Sequence, residues 1–150
     1  MSTAVSKVRS IRLLGVTFRI PPSRTAILLW SIAVTAVVTG SLLPASALHR
    51  MHYDGIAPND KVIHFLGYTI LALIPVALLE LLSLGLALAA SMIPMGICLE
   101  FLQKLVPGRS FEIGDMIANS TGVILGILIA LSVRRVLRRR TVPATALRSA

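Results

Sequence analysis

Four apolar stretches separated by short polar ones organise this chain. Residues 25–43 carry no charged side chain. Residues 61–79, 86–102 and 111–133 carry charges only near one end. At about 1.5 Å per residue each stretch, wound as a helix, crosses most or all of a hydrocarbon layer about 30 Å thick. The pattern therefore predicts an all-α, polytopic membrane protein built as a four-helix transmembrane bundle. Pro75 is expected to kink the second span or mark its end, and residues 80–85 to form a tight turn. Pro94-Met95-Gly96 predicts a bend in the third span. Trp30 lies near the start of the first, where an indole prefers the interface. Pro44-Ala45-Ser46-Ala47 has the look of a signal-peptidase site, but the long apolar segment and long basic leader favour a retained anchor.

Composition supports this class. The chain is 55% hydrophobic and only 14% charged, with a mean hydropathy of +0.85. A soluble domain of 150 residues has too little interior to hide so much apolar surface. The net charge of +9 raises nucleic acid as a partner, yet no basic face interleaved with aromatics exists to bind it. The basic residues crowd the two ends, as expected for anchoring on anionic lipid. Cys98 is the single cysteine. It excludes an internal disulfide and reads as a small packing residue.

The division expected is a basic cytoplasmic tail over 1–24, a membrane domain over 25–133 and a second basic cytoplasmic tail over 134–150. Within the first tail Val8, Ile11, Leu14 and Phe18 recur at helical spacing, which suits a short surface helix; an unstructured tail fits equally well. Four spans place both termini on one side, and the Lys and Arg excess at both ends assigns that side to the cytoplasm. The loop over 45–59, with His49, Arg50, His52, Tyr53 and Asp54, reads as solvated. Every strongly polar residue of the spans except Glu80 then lies at the outer interface.

Those residues form strips. Asp60, His64 and Tyr68 share one face of the second span, Glu100 and Gln103 one face of the third, and Asp115 and Asn119 one face of the fourth. Arg109 follows the Pro107-Gly108 turn between the last two, within reach of Glu100 or Asp115. A charge turned toward lipid at depth costs about 2–3 kcal/mol or more, so the strips are expected to converge on one pocket. Gly114, Ala118, Gly122, Gly126 and Ala130 recur at intervals of four, which lets another helix pack closely on that face. Each residue also has a plainer role. Asp60 is a natural N-cap, His64 a partner for Asp60, and Tyr68 a packing aromatic. Gln103 suits a helix-to-helix link, and Arg109 a neutraliser of the two carboxylates. Lys61, Lys104 and Glu112 read as solvated.

The inventory holds acids and bases (His64, Glu100, Asp115), an anion holder (Arg109) and hydrogen-bond donors (Gln103, Asn119, Tyr68). It suits a phosphate- or carbonyl-bearing ligand at headgroup depth. No convincing nucleophile accompanies it, so whether a reaction is catalysed stays open. No cofactor or metal is expected; a divalent ion on Asp60, His64, Glu100 and Asp115 is the lesser alternative.

Asp60-Lys-Val-Ile-His64-Phe65-x-x-Tyr68 resembles the first motif of VanZ-like membrane proteins. Glu100-x-x-Gln103, Pro107-Gly108-Arg109 and Asp115-x-x-x-Asn119-x-x-Gly122-x-x-x-Gly126 resemble the second. The resemblance covers the second to fourth spans. Its namesake gives low-level resistance to the glycopeptide teicoplanin. It implies a multi-pass protein of the bacterial cytoplasmic membrane with a cell-envelope role, lipid as its surroundings and a lipid-linked wall precursor as a possible partner. A binding protein acting on such a component is the first reading. A membrane hydrolase or transferase working on a phosphorylated or glycosylated lipid is the second. A transporter ranks last, because no polar path crosses the other halves of the spans.

Overall fold

A computed structural model describes residues 10–13, 16–19, 22–47 and 60–140. Its helices are α1 (Ser23–Ser41), α2 (Asp60–Leu78), α3 (Leu82–Ala90), α4 (Met92–Gln103) and α5 (Ile113–Arg140). With α3 and α4 in line as Leu82–Gln103, four helical segments are long and apolar enough to cross a membrane. The protein is thus an all-α multi-pass bundle. The loop residues His49 to Asp54 fall outside the described residues.

Two short strands precede it, β1 (Ser10–Leu13) and β2 (Val16–Arg19), paired antiparallel with Ser10 opposite Arg19 and Leu13 opposite Val16. A surface helix does not form across 10–19. The reason is legible in the residues: Ser-Ile-Arg-Leu and Val-Thr-Phe-Arg alternate polar and apolar, the period of a strand.

The spans interlock through their backbones. α2 packs chiefly on α5, along the small-residue face. A Cβ added at Gly122 would collide with the Phe65 carbonyl oxygen, and one at Gly126 with that of Thr69. Lipid provides no hydrophobic drive between helices, so close van der Waals approach of this kind holds them together. Val123 and Ala130 on α5 are fully buried, as are Ala72 and Val76 on α2. Outward-facing Leu28, Ile32, Ile70, Ile117 and Leu128 are more than half exposed within the bundle; a hydrocarbon surrounding accounts for them. Cys98 is also exposed, so it faces outward rather than filling the core.

Both prolines act one turn away from where they stand. Pro75 lies inside α2 and offers no N–H to the carbonyl of Leu71 four residues back. The Trp30 indole of α1 donates to that oxygen at 2.8 Å. Trp30 is therefore a partner to the second span. Leu71 lies eleven residues into α2, about 17 Å along it, where lipid offers no substitute donor. Pro94 likewise has no N–H for the carbonyl of Ala90, and the helix is interrupted at Ser91 rather than at Pro94-Met95-Gly96. The Ser91 hydroxyl donates to Leu88 O there, at 2.8 Å.

The turn between α2 and α3 is only Leu79–Leu81, tighter than the expected 80–85. The C-terminal carbonyls of a helix lack intrahelical donors. Arg134 of α5 supplies them, donating to Val76 O at 2.7 Å, Leu79 O at 2.6 Å and Glu80 O at 3.2 Å.

Candidate functional site

The alternating direction of the spans brings the end of α1, the start of α2, the end of α4 and the start of α5 to one end of the bundle. Three of these ends carry the polar strips. Ser41, the last residue of α1, offers its carbonyl to the Gln103 side-chain amide at 3.0 Å. Gln103 is 1% exposed, and this bond spends its donor on tying the first span to the third. Ala45 N–H donates to Pro107 O at 3.3 Å, which fastens the loop after α1 to the turn before Arg109. Gly108 takes φ of 75° and sits so close to Ala45 that a Cβ would lie 2.9 Å from its side chain. Any larger residue would strain the turn and push the loop away.

Beneath this loop lies the polar cluster. His64 Nδ1 is 3.1 Å from Asn119 Oδ1, and its Nε2 is 3.9 Å from Asp115 Oδ2. Its partner is thus Asn119 across the helix interface, not Asp60 on its own helix. Glu100 is fully buried. One of its oxygens accepts the Glu112 N–H at 3.4 Å, and the other has no partner. Asp115 Oδ1 also makes no hydrogen bond, with Lys61 Nζ at 3.6 Å. Tyr68 is 1% exposed, one turn deeper, and its hydroxyl has no partner either. Gly96 of α4 makes room for it: a Cβ there would lie 3.1 Å from that hydroxyl and 3.2 Å from Asn119 Cβ.

A cavity of about 650 Å³ opens beside the cluster. His64, Tyr68, Gln103, Arg109 and Asp115 line it, with Asp60 at an exposed position. Arg109 is half-buried on the loop and lines the cavity. His64, Glu100 and Asp115 each present one ligand-type atom, all within 4.8 Å of one another. So His64, Tyr68, Glu100, Asp115 and Asn119 meet in one place, Arg109 and Asp60 stand at its wall, and Gln103 is committed to Ser41.

Two residues assigned to solvent belong to the site's rim. Lys61 and Glu112 form an ion pair at 2.6 Å, each 48% exposed. That bond and the Lys61 charge hold the Glu112 carboxyl below its ordinary range. The hint in the sequence was position: Lys61 precedes His64 by three and Glu112 precedes Asp115 by three, each on the face of its neighbour. Lys104 is not simply solvated either, lying 4.4 Å from the Phe111 ring centre and 5.2 Å from that of Phe101. Such contacts hold an ammonium at the surface.

Four apolar spans with a buried polar cluster at one end define a multi-pass membrane protein. A family model described as VanZ/LLP1 matches residues 13–136, most of the chain, and the protein belongs to that family. No curated protein matches, and no solved structure does.

Proposed function

We propose that this protein acts in the cell envelope of a bacterium, by binding or modifying a lipid-linked envelope component through a pocket on the outer side of the cytoplasmic membrane. A role linked to glycopeptide resistance fits the family's association. The observation that carries the reading is the cavity of about 650 Å³ with a guanidinium, an imidazole and a carboxylate on its wall at one end of the spans. A cavity of that size takes a headgroup, and Arg109 matches the two oxygens of a phosphate with paired N–H groups.

The basic ends of the chain support the orientation. Five Lys and Arg residues precede the first span and six lie from Arg134 onward, a distribution that keeps such segments in the cytoplasm. A phosphatase fused after His52 is expected to be active, and one fused after Ser83 inactive.

Binding is tested with the purified protein and a polyprenyl phosphate in detergent. Arg109→Gln is expected to weaken binding about 10- to 100-fold, the worth of a charge-assisted pair of hydrogen bonds, with the unfolding midpoint unchanged. Equal binding by the variant contradicts the reading. A hydrolase or transferase is the second reading, favoured by one observation: Glu100 keeps an unpartnered oxygen beside His64 and Asp115. Turnover of a lipid-linked precursor that disappears in Glu100→Gln and His64→Ala, with binding retained, would establish it.

A further inference from the structure

His64, Glu100 and Asp115 come together at one end of the bundle. The Asn119 side-chain oxygen lies 3.1 Å from His64 Nδ1; a neutral ring donating there leaves Nε2 available to a cation. Nε2 itself stands 3.9 Å from Asp115 Oδ2, a distance too long for a hydrogen bond. Glu100 is fully buried with one oxygen unpartnered, and Asp115 is 7% exposed with one oxygen unpartnered. A ring nitrogen and two carboxylates thus each present one ligand-type atom, all within 4.8 Å of one another. A buried acceptor left without a donor is costly, more so when charged. Lys61, the nearest ammonium, is engaged with Glu112 at 2.6 Å and stands 3.6 Å from Asp115 Oδ1. It pairs with Asp115 from the rim and does not reach between the three side chains.

We infer that His64 Nε2 and the carboxylates of Glu100 and Asp115 form a binding site for one divalent transition-metal ion, zinc or manganese. One nitrogen and two carboxylate oxygens are donors suited to these ions. Ligands within 4.8 Å of one another close on an ion at about 2.0–2.2 Å through small side-chain movements. Asn119 fixes the histidine tautomer from the far side of the ring, as groups behind metal-bound histidines do. Asp60 is not part of the set, because it is exposed on the cavity wall and stands apart from the three. Three protein ligands leave coordination positions open, and His64 and Asp115 both border the cavity. An ion here would meet a phosphate oxygen of a bound headgroup. In that respect the inference rests on the proposed pocket, though the metal site itself stands on the three side chains alone.

The test uses the full chain, purified in detergent without a polyhistidine tag, stripped with chelator and dialysed against Zn²⁺ or Mn²⁺. Elemental analysis is expected to find one ion per chain. His64→Gln and Glu100→Gln, checked for wild-type helicity and elution volume, are expected to lose it. Asn119→Ala is expected to bind about 10- to 100-fold more weakly. Cys98→Ser keeps full occupancy, which removes the exposed thiol as the ligand. Should either glutamine variant fail to fold, Co²⁺ added to the wild type gives the answer by its visible absorption bands, displaced by one equivalent of Zn²⁺. Uptake of no ion by the wild type, or unchanged uptake by the folded glutamine variants, overturns the inference. Polyprenyl phosphate binding measured in excess chelator separates the two claims: if it persists while no ion is found, the metal site falls and the binding pocket stands.

Discussion

The two ends of this bundle treat buried polar groups in opposite ways. At the end holding the turn between α2 and α3, one arginine, Arg134, donates to the carbonyl of Val76 in α2 and to those of Leu79 and Glu80 in the turn. At the other end Tyr68, Glu100 and Asp115 each keep a buried polar atom with no hydrogen bond. Native proteins satisfy almost all such atoms. The first end is therefore arranged for stability, and the second tolerates a cost that packing elsewhere must offset. The seam of α2 against α5 supplies that packing, and Trp30 supplies a donor within it.

Breaking the seam has the largest expected effect. Gly122→Ala and Gly126→Ala place a methyl group against backbone oxygens of Phe65 and Thr69. Each is expected to cost about 3 kcal/mol, the upper part of the overpacking range, read as a lower unfolding midpoint in detergent. Retained midpoints would mean that α2 and α5 stand further apart. Arg134→Met comes next: it strips donors from the carbonyls of Val76 and Leu79 and is expected to cost about 2 kcal/mol. Arg134→Lys recovers only part, because an ammonium does not span the three acceptors as a guanidinium does. Trp30→Phe follows, at about 1 kcal/mol, the usual scale for a hydrogen bond between membrane helices.

The smallest effect belongs to the rim. Glu112 folds with its carboxyl held below the ordinary 4.5, chiefly by the bond to Lys61. A depressed carboxylate contributes stability that is present above pH 4.5 and lost as pH falls through the folded value. Both partners are about half exposed, so solvent screens the pair and the contribution is slight. Lys61→Met is expected to flatten the acid limb of the unfolding midpoint below pH 4.5 and leave the neutral region nearly unchanged.

The spans were legible because hydropathy is a property of single residues summed over a window, and lipid enforces it. Their convergence was legible in part, since side chains four apart share a face whatever the fold. Contacts between distant segments were not. Lys61 and Glu112 lie 51 residues apart, and a charged residue at a span's edge reads as solvated until its partner is seen. The choice of Asn119 over Asp60 as the partner of His64 is likewise a fact of helix packing. Pro94 marked a disturbance correctly but not its place, because a proline disrupts the carbonyl one turn before it. The hairpin was missed because eight paired residues support two periods at once, and Leu14, between the strands, completed the helical one.

Stability and binding of Glu100→Gln, measured on one sample in the presence of chelator, test most directly whether the cluster is kept for a ligand rather than for the fold. The amide still accepts from Glu112 N–H while removing a buried carboxylate. An unfolding midpoint equal to or above that of the wild type, with polyprenyl phosphate binding or turnover reduced at least about tenfold, is the predicted result. A midpoint that collapses, with the folded fraction binding and turning over normally, would contradict it.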